Sequence, residues 1–346
     1  MTSDDKQTGV LLLNLGGPDS LEAVRSFLFN LFSDREIIRL GPSFMQKPLA
    51  WIISSLRAGK TAEAYKRIGG KSPILDITSA QAKALEMALN TARPGNIPGE
   101  GALAGRTRRE IFRVYVGMRY WHPLIDDVVP KICNDGIGRL VALSLYPQYS
   151  DATAGSSFSR LRDISSHYPL EVVNIMSWFN HPLYINAVVD VIKKGFKLFN
   201  DDPRGGGPER NIHLLFSAHG LPVKFIEEGD PYVDQLMGTI REVTGRIDVG
   251  WDLSYQSRSG PVKWLEPSTD EMIRSLAQKG IKNILVVPIS FVSDHIETLY
   301  EIDMLYKNMA EALGMRLERV ESLNTSPLFI DALRDIVLIG MKDAHI

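Results

Sequence analysis

Three carboxylates near the end of an apolar run stand at a spacing that could bind a metal cation. In the stretch FVSDHIETLYEID (291–303), Asp294, Glu297 and Glu301 occupy positions i, i+3 and i+7. If a helix begins near Asp294, these side chains fall on one narrow stripe of its surface. Carboxylate oxygens suit a hard or borderline divalent cation, and His295 adds a nitrogen donor. The same Asp-x-x-Glu spacing is that of a helix-capping box, so both interpretations stay open.

A single histidine stands at the end of another apolar run. The stretch IHLLFSAHGLP (212–222) predicts a strand that leads to His219 and a Gly-Pro-containing loop. Because an imidazole exchanges protons near neutral pH, His219 could remove protons from a ligand. A hydrogen-bonded structural histidine is the alternative. If the ends of this strand and of the strand before Asp294 converge, histidine and carboxylates would face one ligand from two sides.

Three other stretches offer weaker candidates. Arg119 follows a strand and could bind a carboxylate of a ligand, or serve as an ion-pair partner within the protein. YKRIGGKSP (65–73) has a Gly-Gly break, which suits a ligand-contacting loop or a simple turn. YPQYS (146–150) offers aromatic surface at a strand end, where core packing is the alternative use.

Eight short apolar runs alternate with amphipathic stretches along the chain. Most of the runs are continuously apolar, as parallel strands covered on both faces are. This alternation predicts the α/β class with doubly wound parallel sheets. Strands are predicted at 10–15, from 111, from 139, at 171–176, from 212, from 249, from 283 and at 316–321, and helices at 79–90, 183–199, 232–244 and 269–279.

The eight strands form two corresponding sets of four. Each set opens with a strand that runs into a Gly-Pro loop, and each third strand leads to Ser-Asp, at 140–151 and 283–294. We therefore predict two similar Rossmann-like domains that face a central cleft. In open α/β sheets ligands bind beyond the carboxyl ends of the strands, which makes this cleft the expected site. The predicted limits are 8–178, 179–324 and a C-terminal helix at 325–346 that packs back on the body.

Composition and motifs exclude several classes of function. The 346 residues include 39 Lys and Arg against 41 Asp and Glu, so we expect no nucleic-acid partner. The only cysteine, Cys133, can form neither an internal disulfide nor a thiolate cluster. A Gly-x-Gly-x-x-Ala pattern at 99–104 follows a loop instead of a strand, and we reject it as a dinucleotide-binding motif.

Residues 37–56, IIRLGPSFMQKPLAWIISSL, form an apolar segment that two prolines interrupt and that Arg57 and Lys60 follow. The segment could be a buried helix pair, the lip of a pocket or a patch with peripheral contact to a membrane. The N-terminus has neither the basic nor the apolar region of a signal peptide, so we expect a cytoplasmic protein.

Taken in order, eight blocks of the sequence resemble the ferrochelatases, which insert Fe(II) into a porphyrin in haem biosynthesis. The LNLGGP opening is more similar to the branch that uses protoporphyrin than to the branch that uses coproporphyrin, so protoporphyrin IX is the expected substrate beside ferrous iron. The blocks extend over nearly the whole chain: LLLNLGGPDSLEAVRSFLFNLFSD, YKRIGGKSPI, VYVGMRYWHP, LSLYPQYSDATAGSS, FSAHGLP, YQSRSGPVKWLEPSTDE, VPISFVSDHIETLYEID and ESLNTSPLFIDAL.

The resemblance implies roles for individual residues. His219 matches the histidine at the pyrrole nitrogens, a proton acceptor or metal ligand, and Glu297 matches the glutamate opposite it. Asp294 and Glu301 match polar residues around that glutamate, and Glu301 resembles part of an acidic route for the metal. The implied porphyrin pocket contains Leu15 over the macrocycle face, Tyr65, Ser72 and Arg119 in the lining or at the propionates, Arg57 in the lip, and we add Tyr146.

We expect no organic cofactor, because the reaction replaces two N–H protons by a metal that is itself a substrate. Some members of the family hold an iron–sulfur cluster through cysteines. Here Asp151 follows YPQYS and the final MKDAHI has no cysteine, so we predict no cluster and a monomer, with a dimer as the alternative. Other possibilities stay open: a chelatase for coproporphyrin, another tetrapyrrole or another metal, and a non-enzymatic porphyrin or haem carrier.

Overall fold

Two sheets of four parallel strands organise the chain in the computed structural model, which describes residues 6–91, 110–199, 212–258, 260 and 262–343. The first sheet has the order β2-β1-β3-β4, and the second has the order β6-β5-β7-β8. The identical order confirms the predicted α/β class and the correspondence of the two halves. The strands are β1 (Lys6–Asn14), β2 (Glu110–Met118), β3 (Arg139–Ser144), β4 (Glu171–Ile175), β5 (Ile212–His219), β6 (Trp251–Gln256), β7 (Asn283–Pro288) and β8 (Arg316–Arg319).

Helices cover both faces of each sheet, which is why the inner strands are apolar without interruption. β3 and β7 are buried along their whole length. All four helices predicted from the sequence are present, and that at 232–244 has the predicted limits. The helices are α1 (Val24–Ser33), α2 (Gln46–Arg67), α3 (Ile74–Thr91), α4 (Ile125–Asn134), α5 (Ser156–Ser165), α6 (Pro182–Phe196), α7 (Val223–Glu227), α8 (Tyr232–Thr244), α9 (Thr269–Gln278), α10 (Lys307–Ala312) and α11 (Pro327–Asp343).

The two halves share one apolar core. A cluster of buried side chains runs from β1 and β3 through α6 to β5 and β7. Helix α11 packs against α3, α6 and β4 and so connects the end of the chain to the first half. The domain limits at 8–178, 179–324 and 325–346 stay a prediction. The rejected pattern at 99–104 lies outside the described residues.

Trp178 lies between β4 and α6, where the chain passes from one half to the other. Its indole Nε1 donates a hydrogen bond to the carbonyl of Ser144 at 2.8 Å. Its ring meets the rings of Tyr184 and Phe329 at centroid distances of 4.9 and 6.0 Å. One side chain thus joins the first sheet to α6 and α11.

The apolar segment at 37–56 is divided between core and surface. Helix α2 begins at Gln46, and Ala50 and Ser54 on one face are buried. The opposite face and the preceding turn expose Phe44 (76%), Trp51 (57%), Ile52 (46%) and Leu56 (78%). We call these four side chains the lip patch, and for them the buried-helix interpretation is wrong. Among the described helices, we find none with the length and apolarity to cross a membrane.

We expect Trp178→Ala to lower the free energy of unfolding by about 3–5 kcal/mol, because it removes a large buried side chain and leaves a cavity. Trp51→Ala is the matched control, since the same substitution at a 57% exposed site should stay within about 0.5 kcal/mol. Urea unfolding followed by circular dichroism measures both. Equal losses in the two variants would contradict the shared core.

Candidate active site

A cleft lies at the carboxyl ends of strands from both sheets. It encloses about 750 Å³ of empty space, including the open solvent at its mouth. The first half contributes apolar and neutral polar side chains, whereas His219 at the end of β5 and two residues after β7, His295 and Glu297, come from the second half. This is the location that parallel α/β sheets favour for ligands. The lining residues used below are Leu15, Tyr146, His219, Leu221, Phe291, His295 and Glu297.

His219 is the last residue of β5, and its backbone is held on both sides. Its N–H donates to the hydroxyl of Ser290 at 2.9 Å, and its carbonyl accepts from the hydroxyl of Tyr232 at 3.0 Å. The ring Nδ1 lies 2.9 Å from Oε2 of Glu297. Both side chains are partly buried, with exposed fractions of 33% and 17%. The predicted convergence of the two strand ends therefore occurs.

Glu297 reaches this position because its segment is not an ordinary capped helix. The N–H of Asp294 donates to Oδ1 of Asn324 at 3.0 Å, so the capping-box interpretation is wrong. The segment Glu297–Tyr306 is π-helical, with hydrogen bonds from i to i+5. Its buried side chains are Thr298 and Ile302.

The two partners stabilise each other's charged forms. Burial raises the pKa of Glu297, but the charge and hydrogen bond of His219 outweigh it and lower this pKa to about 2. Burial lowers the pKa of His219, whereas the charge and hydrogen bond of Glu297 raise it, with a net rise. Since an ionised carboxylate only accepts hydrogen bonds, Nδ1 of His219 carries a proton. In the neutral imidazole the lone pair is then on Nε2.

Glu301 has a different environment, one turn further along the segment. The hydroxyl of Ser257 donates to its Oε2 at 2.7 Å, and the amide of Gln256 lies 3.4 Å from the same atom. That amide also donates to the carbonyl of Glu297 at 3.2 Å, and Ser217 fixes its orientation by donating to its oxygen at 2.6 Å. Burial and the charge of Glu297 raise the pKa of Glu301 to about 7.

His295 points a bare nitrogen toward Glu297. Its Nδ1 lies 3.0 Å from the carbonyl of Ser293, an acceptor, so Nδ1 is the protonated nitrogen. Its Nε2 is buried, makes no hydrogen bond, and lies 3.9 Å from Oε2 of Glu297. Burial lowers the pKa of His295. With metal–ligand distances of about 2.0–2.2 Å, these two atoms could contact one divalent cation. Among the described residues, no group of three or more His, Cys, Asp or Glu is arranged to hold a metal.

The structure places Asp294 apart from the other carboxylates of the predicted stripe. Its Oδ1 accepts hydrogen bonds from Arg319, Ser322 and Thr298, and its Oδ2 accepts from Asn324. The charge of Arg319 and these donors outweigh the effect of burial and lower the pKa of Asp294. Every contact of the carboxylate thus serves to hold the loop, which favours a structural role over metal binding.

Leu15 and Tyr146 lie in the cleft wall, while Tyr65 and Ser72 lie behind it. Tyr65 is 3% exposed, packs in the same cluster as Leu15 and shares a hydrogen bond with Ser72. A Cβ on Gly17 would lie 2.6 Å from Cβ of Ser72, so only glycine lets the two loops approach this closely. Tyr65 and Ser72 therefore support the loop that carries Leu15.

The two predicted arginines lie outside the cleft lining. The Nη2 of Arg119 lies 2.6 Å from Asp34, and its Nε donates to Ser156 at 2.8 Å. These contacts favour its role as an ion-pair partner. Arg57 is exposed on α2, with its guanidinium 5.4 Å from the ring centroid of Phe32. Both positions are compatible with a rim, and neither arginine touches the central pair.

Sequence reasoning gave no role to Gln256, Ser257 and Phe291. Gln256 ends β6 and Ser257 follows it, so the strand-end rule that selected His219 could have selected them as well. Ser257 has φ = 67°, a left-handed conformation that side chains other than glycine rarely adopt. Such strain is common at functional sites. The ring of Phe291 lies 4.2 Å from that of His295 and 6.2 Å from that of His219.

Comparison with known sequences gives a consistent result. The model of the ferrochelatase family matches residues 7–340. The ferrochelatase of Desulfotalea psychrophila is 50% identical over 336 residues, which cover 96% of each chain. The ferrochelatase of Picosynechococcus sp. is 47% identical over 345 residues, which cover 97% of this chain and 83% of the relative.

Two solved structures share the fold at low sequence identity. SirB from Bacillus subtilis with Fe³⁺ has a TM-score of 0.56 at 11% identity over 98% of this chain and 97% of that chain. The sirohydrochlorin chelatase SirB from Bacillus subtilis subspecies spizizenii in complex with cobalt has a TM-score of 0.52 at 10% identity, over 98% and 96%. The sequence matches show more than the fold: the chain belongs to the ferrochelatase family, lyases that insert iron into a porphyrin in haem biosynthesis.

Proposed function

We propose that the protein inserts ferrous iron into protoporphyrin IX to give protohaem, with release of two protons. The observation that carries the proposal is the contact of His219 with Glu297, whose ring nitrogen and carboxylate oxygen lie 2.9 Å apart in the wall of the cleft. A proton acceptor and an anionic group for a cation are there on one wall, opposite apolar side chains of the other sheet.

The porphyrin would bind between the two sheets. Leu15 and Tyr146 from the first sheet and Leu221 and Phe291 from the second supply apolar surface for a flat ring. Protoporphyrin carries half as many carboxylates as coproporphyrin, and apolar walls favour the ring with fewer charges. Arg57, exposed on α2, is the proposed partner of a propionate, and Arg119 could join it only by giving up part of its ion pair with Asp34.

Proton removal is the role that we propose for His219. Since Nδ1 bonds to Glu297, Nε2 accepts a proton from a pyrrole nitrogen, and the raised pKa helps the imidazole to keep it. Both N–H bonds of the ring break in turn, Nε2 of His219 accepts each proton and passes it on before the next, and the two electron pairs stay on the nitrogens and bind Fe²⁺. Glu301, with a pKa of about 7, is suited to receive a proton and release it to solvent.

Iron would approach from the carboxylate side. Glu297 is ionised at neutral pH, and the bare Nε2 of His295 lies 3.9 Å from it, so these atoms can replace water ligands of Fe²⁺. Glu301 extends this route, and Asp294 is left out of it. The proposed reaction uses no organic cofactor. We propose no iron–sulfur cluster, because the single cysteine of the sequence cannot hold one.

We further propose a monomeric, cytoplasmic enzyme that touches membranes through the lip patch. The four exposed apolar side chains lie beside basic groups, among them exposed Lys47, Arg57 and Lys60. The guanidinium of Arg25 lies 5.0 Å from the ring of Trp51. An apolar patch bordered by positive charge suits an anionic lipid surface.

Anaerobic metallation of protoporphyrin, followed by absorbance, tests the central proposal. We expect turnover by the wild type, and a loss of about 100-fold or more in both His219→Ala and Glu297→Gln, the range typical of general acid–base groups. His167→Ala and Glu311→Gln make the same substitutions at exposed sites and should keep wild-type rates.

Three results would contradict parts of this function. Ring binding without metallation above the uncatalysed rate would favour a porphyrin carrier. Faster metallation of coproporphyrin than of protoporphyrin would overturn the substrate and keep the mechanism. Unchanged rates in His219→Ala would remove the proposed proton acceptor.

Glu301→Gln should change the pH dependence of stability. A carboxyl with a folded pKa of about 7 and an unfolded value of 4.5 favours folding while protonated, and this contribution is lost as the pH rises from 4.5 to 7. The glutamine variant avoids this loss, so its advantage over the wild type should grow from pH 5 to pH 8 by up to about 3 kcal/mol. Urea unfolding at each pH measures it, and a constant difference would contradict the raised pKa.

Trp51→Ser combined with Leu56→Ser should weaken binding to vesicles of phosphatidylcholine and phosphatidylglycerol at least about tenfold, because each large apolar side chain contributes about 1.5–3 kcal/mol on burial. Co-sedimentation measures binding. Met87→Ser combined with Ile339→Ser changes two exposed apolar side chains elsewhere and should bind as the wild type does. Absence of binding by the wild type would contradict membrane contact.

A further inference from the structure

Arg319, the last residue of β8, binds the π-helical segment at Asp303 and the loop before this segment at Asp294. Its Nε and Nη2 donate to the two carboxylate oxygens of Asp303 at 2.8 Å each. Its Nη1 donates to Oδ1 of Asp294 at 2.9 Å. The arginine side chain is 10% exposed, and burial does not outweigh its two acidic partners, so its pKa is raised. A bidentate arginine fork of this kind fixes direction as well as distance.

The two aspartates that Arg319 binds lie on either side of Glu297 and Glu301 in the sequence. Asp294 precedes the segment and Asp303 lies within it, while Glu297 and Glu301 come between them. The inner pair bonds to His219 and Ser257, at the ends of β5 and β6. Because the sheet order is β6-β5-β7-β8, these ends lie on the other side of β7 from Arg319. The segment is therefore held from opposite sides.

A π-helix of ten residues needs such support, because this geometry normally lasts for a single turn. Each residue turns the helix by about 82° in π geometry and by about 100° in α geometry. Conversion to an α-helix between Glu297 and Glu301 would rotate one carboxylate against the other by roughly 70°. Residues four apart stay on the same side of the helix in either geometry, and the helix type decides the direction in which Glu301 is offset from Glu297.

The contacts of Arg319 with Asp294 and Asp303, which we call the clamp, have a second reason in the charges of these residues. Four acids stand at positions 294–303, and Arg319 forms ion pairs with the two outer ones, so its single positive charge offsets part of their negative charge. Without this guanidinium, Asp294 would remain 18% exposed with neutral donors as its hydrogen-bond partners and no cation beside it, a costly state for a carboxylate. Relaxation of the segment would then be the way to return Asp294 and Asp303 to water.

We propose that Arg319 is a positioning residue that maintains the π-helical geometry and so sets the placement of Glu297 relative to Glu301 on the metal route. This rests on the function proposed above, in which those two carboxylates handle the arriving cation. Loss of the clamp should then weaken capture of the metal and leave porphyrin binding almost unchanged, since the apolar walls belong to other segments.

Arg319→Met tests this, because methionine removes the guanidinium and keeps an unbranched side chain. In anaerobic metallation we expect the KM for Fe²⁺ to rise about tenfold and the KM for protoporphyrin to stay within about twofold. Arg319→Lys keeps the charge without the fork and should lie between. The matched control is Arg316→Met on the same strand, where the arginine is 39% exposed and pairs with Glu318.

Asp303→Asn removes one half of the clamp at a 36% exposed site, and it serves if Arg319→Met does not fold. It should raise the KM for Fe²⁺ in the same direction by a smaller factor. A merely structural arginine would lower the melting temperature or kcat and leave the ratio of the two KM values unchanged, which would overturn the proposal. Equal effects of Arg319→Met and Arg316→Met would overturn it as well.

Binding of Co²⁺ without porphyrin, measured by calorimetry, separates this inference from the proposed function. If the wild type does not metallate porphyrin but Arg319→Met still binds Co²⁺ about tenfold more weakly than the wild type, the function fails and the clamp stands. If the wild type metallates protoporphyrin and both proteins bind Co²⁺ equally, the clamp fails and the function stands.

Discussion

The hydrogen-bonded pair of His219 and Glu297 requires the surrounding structure to supply a charge partner and to hold both backbones in place. Each partner is partly removed from water, and Glu297 depends on the N–H of His219 to keep its charge, because an unpaired buried charge is costly. Such a pair works only if both backbones are held in place. Ser290 and Tyr232 hold the strand end at His219, and the amide of Gln256 holds the carbonyl of Glu297.

The pair also determines the behaviour of its neighbours. Burial and the negative charge of Glu297 together raise the pKa of Glu301, one turn away, to about 7, while that of Glu297 itself is about 2. In the proposed reaction Glu297 attracts the cation, and Glu301 both extends the metal route and exchanges protons near neutral pH. Environments that separate the pKa values of like groups are a common basis of acid–base chemistry.

The two halves repeat one topology but do not contribute equally. Both sheets have the same strand order, and both direct their carboxyl ends toward the cleft. The first supplies Leu15 and Tyr146, and the second supplies His219 and Glu297. A cleft with apolar side chains in both walls and its histidines and carboxylate in one wall suits a flat ring that must lose protons on one side. The repeat provides the cleft, and the differences between its halves provide the chemistry.

Local sequence determined the strands, the four predicted helices and the correspondence of the halves. Continuous apolar runs and the loops that follow them depend on only a few neighbouring residues. It also marked His219 and Glu297 as candidates. Only the tertiary structure brought them together across 78 positions of the chain. An α-helical stripe predicted from spacing gave Asp294, Glu297 and Glu301 one common face. The structure assigns Asp294 to Arg319 instead, since a charge 25 residues away and a π-helical turn are long-range effects that local spacing does not contain.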